Sequence, residues 1–415
     1  MLYERWRQIA LERRDELALR DTASGRHWTF GELHAAAEAI QVGGSDFVFP
    51  RGHSPEFVLA LLAAWRSGKA VCPHEPGQPA PQIPKPPSPC IHLKFTSATT
   101  GAARMAAFTA EQLAADAENI VATMGLRPDL PNLGVISLAH SYGFSNLVLP
   151  LLLHGIPLIL APSPLPEAVR RAADGESALT LPAVPAMWRA WHAAGAIPPA
   201  VCLAISAGAP LSVELETTVF QSCGLKLHNF YGSTECGGIA YDGSEVLRTD
   251  PACVGSPMKN VSLVVGDNGC LEVRSLACGE TYWPQADANL GGGCFYTSDL
   301  VEISRGEVFL RGRAGDQINV AGRKVSPETI ERALLKHPQV LECLVFGVPS
   351  HDAERTEEIV AVVASREREP TLRQFVLETL PAWQAPRHWW FVDAVQTNPR
   401  GKISRAEWRE RWLAR

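Results

Sequence analysis

Five short segments carry residue types that can do chemistry. The first, TSATTGAARM at 96–105, follows the apolar stretch IHLKF. Thr96, Ser97, Thr99 and Thr100 supply hydroxyls there, and Gly101 with its neighbouring alanines lets backbone N–H groups come close to an anion. That is the chemistry of a phosphate cradle, although the segment is not the G-x-x-x-x-G-K-[ST] loop, and an ordinary turn uses the same residues. The second, NFYGSTECGG at 229–238, sets aromatics, glycines, a hydroxyl pair and a carboxylate in one turn. Such a turn can stack a base, touch phosphate and hold Mg²⁺ through Glu235, or simply reverse the chain. The third, SAGAP at 206–210, is a small-residue bend that admits a flat ligand or close packing. In the fourth, Asp299 and Arg313 bracket a hairpin, which returns a carboxylate and a guanidinium to adjacent positions. A carboxylate suits a ribose diol, and a surface ion pair is the alternative. The fifth, NPRGKISR at 398–405, sets Lys402 just after a tight turn, where lysines are ordinarily solvated.

The elements that must position these segments alternate between helix and strand. WTFGELHAAAEAI and EFVLALLAAWRSG read as helices, the second closing on Gly68 before the strand KAVCP. The Pro-rich stretch Pro73 to Cys90 reads either as a linker or as a surface loop within one large domain. Beyond it the spacing predicts a strand over 91–95, a helix over 110–124, a strand over 134–137, a helix over 145–153 and a strand over 158–161. Between 251 and 312 short alternating runs separated by DNG and SRG predict hairpins. The tail returns to a mixed pattern, with helices near 327–336 and 372–380 and strands at 343–347 and 359–364. The expected architecture is α/β: a large N-terminal domain of helix-covered sheets with a small β-barrel-like part over 1–312, and a small mobile α+β C-terminal domain over 313–415.

Composition bounds the function. The 415 residues fit two or three domains, and 46% hydrophobic with 20% charged residues is globular rather than fibrous or disordered. With 38 Lys+Arg against 44 Asp+Glu the net charge is −6, so no global basic field favours nucleic acid. The N-terminus lacks an apolar core followed by small residues, and the apolar stretch 146–162 is broken by Pro150, His154, Gly155 and Pro157. Neither a secretory signal nor a membrane span is expected, which favours the cytoplasm. The ten cysteines form no C-x-x-C pair and sit beside no His cluster, so reduced and mostly buried thiols are expected rather than zinc or redox motifs.

Taken in order, these segments resemble the adenylate-forming superfamily, which includes acyl- and aryl-CoA synthetases, nonribosomal peptide adenylation domains and luciferases. The resemblance runs from WTFGEL at 28 to GKISR at 401 and extends through LAHSYGFSNLVLPLLLHG, ALTLPAVPAMW, LAISAGAPLS and VGSPMKN. It implies an AMP-forming acid–thiol ligase: a carboxylic acid, aryl or otherwise planar, is joined to AMP from ATP with release of pyrophosphate, then passed to the thiol of CoA or a carrier-protein phosphopantetheine. Bringing a carboxylate to an α-phosphate sets two anions together, and that repulsion must be neutralised. The resemblance assigns Lys402 to bridge them, Thr234 to contact phosphate and Glu235 to hold Mg²⁺. Thr96, Ser97, Thr99, Thr100, Gly101 and Arg104 would form the phosphate loop. Adenine would lie between Phe230-Tyr231-Gly232 and Gly208-Ala209-Pro210, with Asn229 at its exocyclic amine. Asp299 would take the ribose hydroxyls, assisted by Arg313, and Lys324 would reach phosphate. The acid would meet a wall of His140, Ser141, Tyr142, Gly143 and Phe144 over a floor of Gly232, Gly237 and Gly238.

Several positions depart from the family pattern. The phosphate loop reads Ala103-Arg104-Met105 where Pro-Lys-Gly is usual, and Ala98 stands for a glycine. Arginine keeps the charge without the point-like geometry of an ammonium. The interdomain pivot falls on Gly315, which is compatible with rotation of the small domain. The chain is short for the family, mainly between Pro73 and Ile91. An alternative reading is a nucleotide- or acyl-adenylate-binding protein of the same fold that has lost turnover. A basic face of Arg405, Arg409, Arg411 and Arg415 would suit an acidic carrier protein, or be a solvated helix face.

Overall fold

The computed structural model describes all residues except 78–80, 97–103, 351–355 and 397–403. A nine-stranded sheet forms its largest layer, in the order 256–257, 237–241, 227–233, 201–206, 179–183, 132–134, 158–160, 17–21 and 26–29. The six strands from 227–233 to 17–21 run parallel, as helical crossovers require, and antiparallel strands close both edges. Both faces of the parallel strands are covered, so a strand such as Leu179–Ala183 is buried at every position.

A second, five-stranded sheet runs 281–283, 105–108, 92–95, 70–71, 47–48. Strand Ala70–Val71 pairs with strand His92–Phe95 inside this sheet, so the two flanks of the Pro-rich stretch belong to one unit. A third sheet contains the two expected hairpins, 262–265 with 270–274 and 294–304 with 307–313.

Local chemistry fixes the helix ends. Helix Ala110–Met124 begins with a reciprocal capping box between Thr109 and Gln112 and stops at Gly125, whose φ is +67°. Helix Phe30–Ala39 begins with the same device between Thr29 and Glu32. The apolar run after His140 forms one continuous helical rod. It is α over Ser141–Gly143, a π-turn over Phe144–Val148 and α again over Leu149–His154. The strand expected at 134–137 lies instead at Asn132–Gly134, where it pairs with Leu158–Leu160.

Trp6, Trp188, Trp191, Phe30 and Phe57 are fully buried in one continuous core that runs from Leu2 to Val308. Each such side chain stabilises the fold by about 1.5–3 kcal/mol. A separate core, Ile318 to Val376, lies between helix Pro327–Leu335 and the sheet of 340–349, 357–365 and 388–391. None of the ten cysteines is disulfide-bonded, and six of them are buried.

Candidate active site

Two of the chemistry-bearing segments lie where the parallel strands end. Strand Val201–Ser206 runs straight into the bend Gly208-Ala209-Pro210, which is exposed and turned by a φ of +84° at Gly208. Strand Leu227–Ser233 runs into the turn that carries Thr234 and Glu235 and returns as Gly237–Tyr241. Open α/β sheets bind ligands in such a crevice at the carboxyl ends of their strands.

The turn at 234–236 is held from several sides. The backbone N–H of Glu235 donates to Ser233 Oγ at 3.2 Å, and the N–H of Gly279 donates to the Glu235 carbonyl at 2.8 Å. Tyr282 donates its hydroxyl to Glu235 Oε1 at 3.2 Å, and burial together with that carboxylate pushes its phenol pKa upward. Glu235 therefore presents a fixed oxygen at the turn.

Asp299 joins two expected elements. Its Oδ1 accepts from Arg313 Nε at 2.9 Å, the two residues facing each other across the hairpin, and its Oδ2 accepts from the Tyr231 hydroxyl. Burial and the adjacent Asp299 carboxylate raise the Tyr231 pKa well above that of an ordinary phenol, so Tyr231 stays a donor. The Asp299 carboxylate, its guanidinium partner and an aromatic ring thus form one connected group. Asn229 is buried, and its Nδ2 donates to the Cys253 carbonyl at 3.1 Å. Phe230 is buried in an apolar cluster with Tyr142 and Met258. Alternate residues of a strand face opposite sides, which separates its ring from that of Tyr231.

The segment expected to bind phosphate is flanked by two antiparallel strands, His92–Phe95 and Met105–Phe108. Phe95 pairs with Met105, and Thr96 closes the loop by donating from both N–H and Oγ1 to the Arg104 carbonyl at 2.8 and 2.9 Å. Ser97, Thr99, Thr100 and Gly101 lie outside the described residues, as does Lys402. Arg104 pairs with Asp287 at 2.7 Å and lies over the Tyr282 ring at 4.7 Å, one ring away from Glu235. Lys324 is exposed on the hairpin 318–325.

In the segment expected to meet the acid, His140 precedes the helical rod, and its carbonyl accepts from the Phe144 N–H at 2.9 Å. Tyr142 donates to the carbonyls of Ala183 and Ile205 at 3.4 and 3.3 Å, which ties the wall to the ends of two parallel strands. Gly143 is a true close approach, since a Cβ there would sit 2.0 Å from the Ser137 carbonyl oxygen. Beneath the floor, Asp116 accepts from the Gly238 N–H at 3.4 Å, and a Cβ on Gly237 would fall 1.9 Å from Asp116 Oδ1. Asp116 was missed from sequence, as were Tyr282 and Asp287. Its one visible signal was a carboxylate on the apolar face shared by Leu113, Ala117 and Ile120.

Of the basic face expected on the last helix, Arg405 is withdrawn into carboxylate pairs, while Arg411 bonds the neutral Gln396 amide oxygen at 2.9 Å. Arg405 is turned inward onto Asp316, Glu328 and Glu331 at 3.1, 2.8 and 2.8 Å. Arg409 approaches Glu357 at 3.7 Å, and Arg415 lies over the Trp390 ring at 4.4 Å.

Comparison with known proteins decides the family. The AMP-binding enzyme profile matches residues 78–282, and the AMP-binding enzyme C-terminal domain matches 329–402. The chain belongs to the AMP-binding, adenylate-forming enzymes. A sulfoacetate–CoA ligase from Cupriavidus necator is 27% identical over 94% of this chain and 78% of its own length. A fatty acid–[acyl-carrier-protein] ligase, ScoC of Streptomyces coeruleorubidus, is 32% identical over 49% of this chain and 43% of its own. The crystal structure of ATP-bound MatB from Rhodopseudomonas palustris superposes with a TM-score of 0.87 at 21% identity, covering 99% of both chains, which shows a shared AMP-binding enzyme fold.

Proposed function

We propose that this protein is an ATP-dependent acid–thiol ligase that forms an acyl-adenylate and passes the acyl group to CoA or to a phosphopantetheine thiol. The observation that carries this reading is the convergence of Tyr231, Asp299 and Arg313 with the Glu235 turn at the ends of the parallel strands. In this reading Tyr231 and the Gly208-Ala209-Pro210 bend hold adenine, Asp299 takes the ribose hydroxyls, and Thr234 and the 96–104 loop take phosphate. Among the described residues no three His, Cys, Asp or Glu side chains converge on a metal site. A Mg²⁺ ion would therefore rest on Glu235 and the nucleotide's own phosphates, the arrangement that ion favours. Bound there, it would offset charge between phosphate oxygens. Lys402 would bridge the acid carboxylate and the α-phosphate, and Gly315 would let the 313–415 domain carry it in and out of the site.

The acid is proposed to be aryl or otherwise planar, between the 140–144 wall and the floor glycines. The acceptor is open to either thiol, since one relative is named for CoA and another for a carrier protein. Withdrawal of Arg405 into carboxylate pairs removes one of the four cations a carrier protein could meet on the last helix. Acid-dependent ATP–pyrophosphate exchange over a panel of aryl and fatty acids is the direct test, and silence across a broad panel defeats the reading. Lys402→Ala is expected to abolish adenylation while sparing thioester formation from presynthesised acyl-adenylate. Survival of both half-reactions would remove Lys402 from its role. The Arg104–Asp287 pair favours a second reading, a binding protein without turnover, because it engages the cation that replaces the usual lysine. Calorimetric binding of AMP without any exchange would establish that version.

A further inference from the structure

Under the wall and floor assigned to the acid lies a charged cluster that the nucleotide chemistry does not use. Lys94 stands in the apolar strand His92–Phe95, two residues before the phosphate loop, and its side chain is 4% exposed. Its ammonium meets Asp116 Oδ2 at 3.5 Å and Ser145 Oγ at 3.2 Å, and Ser145 donates to the same carboxylate at 2.5 Å. Ser145 directly follows Phe144, and the π-turn that starts there is the kind of helical irregularity often found at functional sites. Asp116 reaches Gly237 and Gly238 from below. The cluster therefore lies just past Phe144, the last residue of the wall, and directly beneath the floor glycines Gly237 and Gly238.

Its hydrogen-bonding capacity is incomplete. An ammonium has three N–H groups and, among the described residues, Lys94 directs two at oxygens; beyond these it has the rings of Phe108 and Phe144, 4.7 and 5.5 Å away. His92, on the same face of the strand and against Phe144 at 4.4 Å, is fully buried with neither ring nitrogen partnered among the described residues. Burial holds this imidazole neutral. Buried polar groups left this way are costly, by about 1–3 kcal/mol each, so the cluster lacks an acceptor. Lys94 and Asp116 together carry no net charge, so a second carboxylate would bring an uncompensated anion into a dry site, whereas a neutral oxygen would not.

We propose that Lys94 is a specificity-determining residue of the acid pocket and that it selects acids that present an uncharged oxygen acceptor, such as a ring hydroxyl, toward this cluster. This rests on the assignment of wall and floor to the acid. The test is calorimetric titration of the full chain with benzoyl-sulfamoyl adenosines carrying either a hydroxyl or a methyl group at the meta or para position. The wild type should bind the hydroxyl partner about 10- to 100-fold more tightly at one of these positions. Lys94→Met should reduce that ratio to less than threefold. Should Lys94→Met fail to fold, Ser145→Ala, which removes a single oxygen, should lower the ratio at least threefold. A wild-type ratio below twofold at both positions, or an unchanged ratio in the variants, overturns the proposal. Absence of pyrophosphate exchange would count against the ligase reading alone and leave the binding ratio readable. If no analogue binds, the acid pocket and the selection both fall.

Discussion

Arg405 shows how one side chain can change meaning between sequence and structure. It read as one of four surface cations, yet its guanidinium is ringed by Asp316, Glu328 and Glu331 and its Nε donates to the Val345 carbonyl at 3.1 Å. Burial raises the Glu331 pKa while Arg405 works against that rise. Arg405→Gln would leave three carboxylates facing one another. The expected cost is about 2–4 kcal/mol of stability in the C-terminal core, seen as an earlier urea transition. Arg405→Lys keeps the charge without the planar fork and should fall between the two. A Gln variant as stable as the wild type would show that these pairs contribute nothing net. Lys94 was illegible for the complementary reason. A lysine is ordinarily solvated, and nothing in IHLKF says which of its residues faces a carboxylate on a distant helix.

Elements were more legible where local chemistry decides them. Helix Ala110–Met124 was readable to the residue because Thr109 and Gly125 mark its ends. The 294–304 and 307–313 hairpin was readable because SRG marks its turn, whereas the one-residue shift in pairing between Leu300 and Val301, which brings Asp299 opposite Arg313, was not. The strand at 132–134 was displaced from the expected 134–137 because its partner at 158–160, and not its own apolar content, fixes where pairing stops. The rod from Ser141 to His154 depends on contact at its first turn. Gly143→Ala would press a methyl group into the Ser137 carbonyl, a backbone atom that cannot swing aside. The expected result is a loss of about 1–3 kcal/mol and, because the acid wall starts at this turn, at least a tenfold rise in KM for the acid with a smaller change for ATP. Thermal melts and exchange kinetics read the two effects, and equal changes for both substrates would argue against a local wall.

At the scale of the molecule, buried imidazoles set the response to acid. His53, His74, His92 and His154 all have pKa values lowered chiefly by burial, that of His154 to about 4. Below pH 6.5 the unfolded chain takes up protons that the folded chain refuses, so stability is full above that value and declines as the pH falls toward 4. Each such proton contributes about 1.4 kcal/mol per pH unit, and urea midpoints between pH 7 and 5 should fall accordingly. His154→Asn should flatten the slope, and a flat wild-type profile would contradict the assignment. The apolar core that runs to Val308 is separate from the one that starts at Ile318.

The nine-stranded sheet has a consequence for handling the protein. Its strand Leu158–Leu160 is screened from solvent on one side by the ribbon Leu17–Thr29, which itself ends in the polar edge residues Arg26 and His27. A protease nick or a trimmed expression variant that removed this ribbon would uncover the unpaired backbone of Leu158, Ile159 and Leu160 along a flat rim. Damage far from the nucleotide crevice would then show first as precipitation, before any loss of catalysis could be measured.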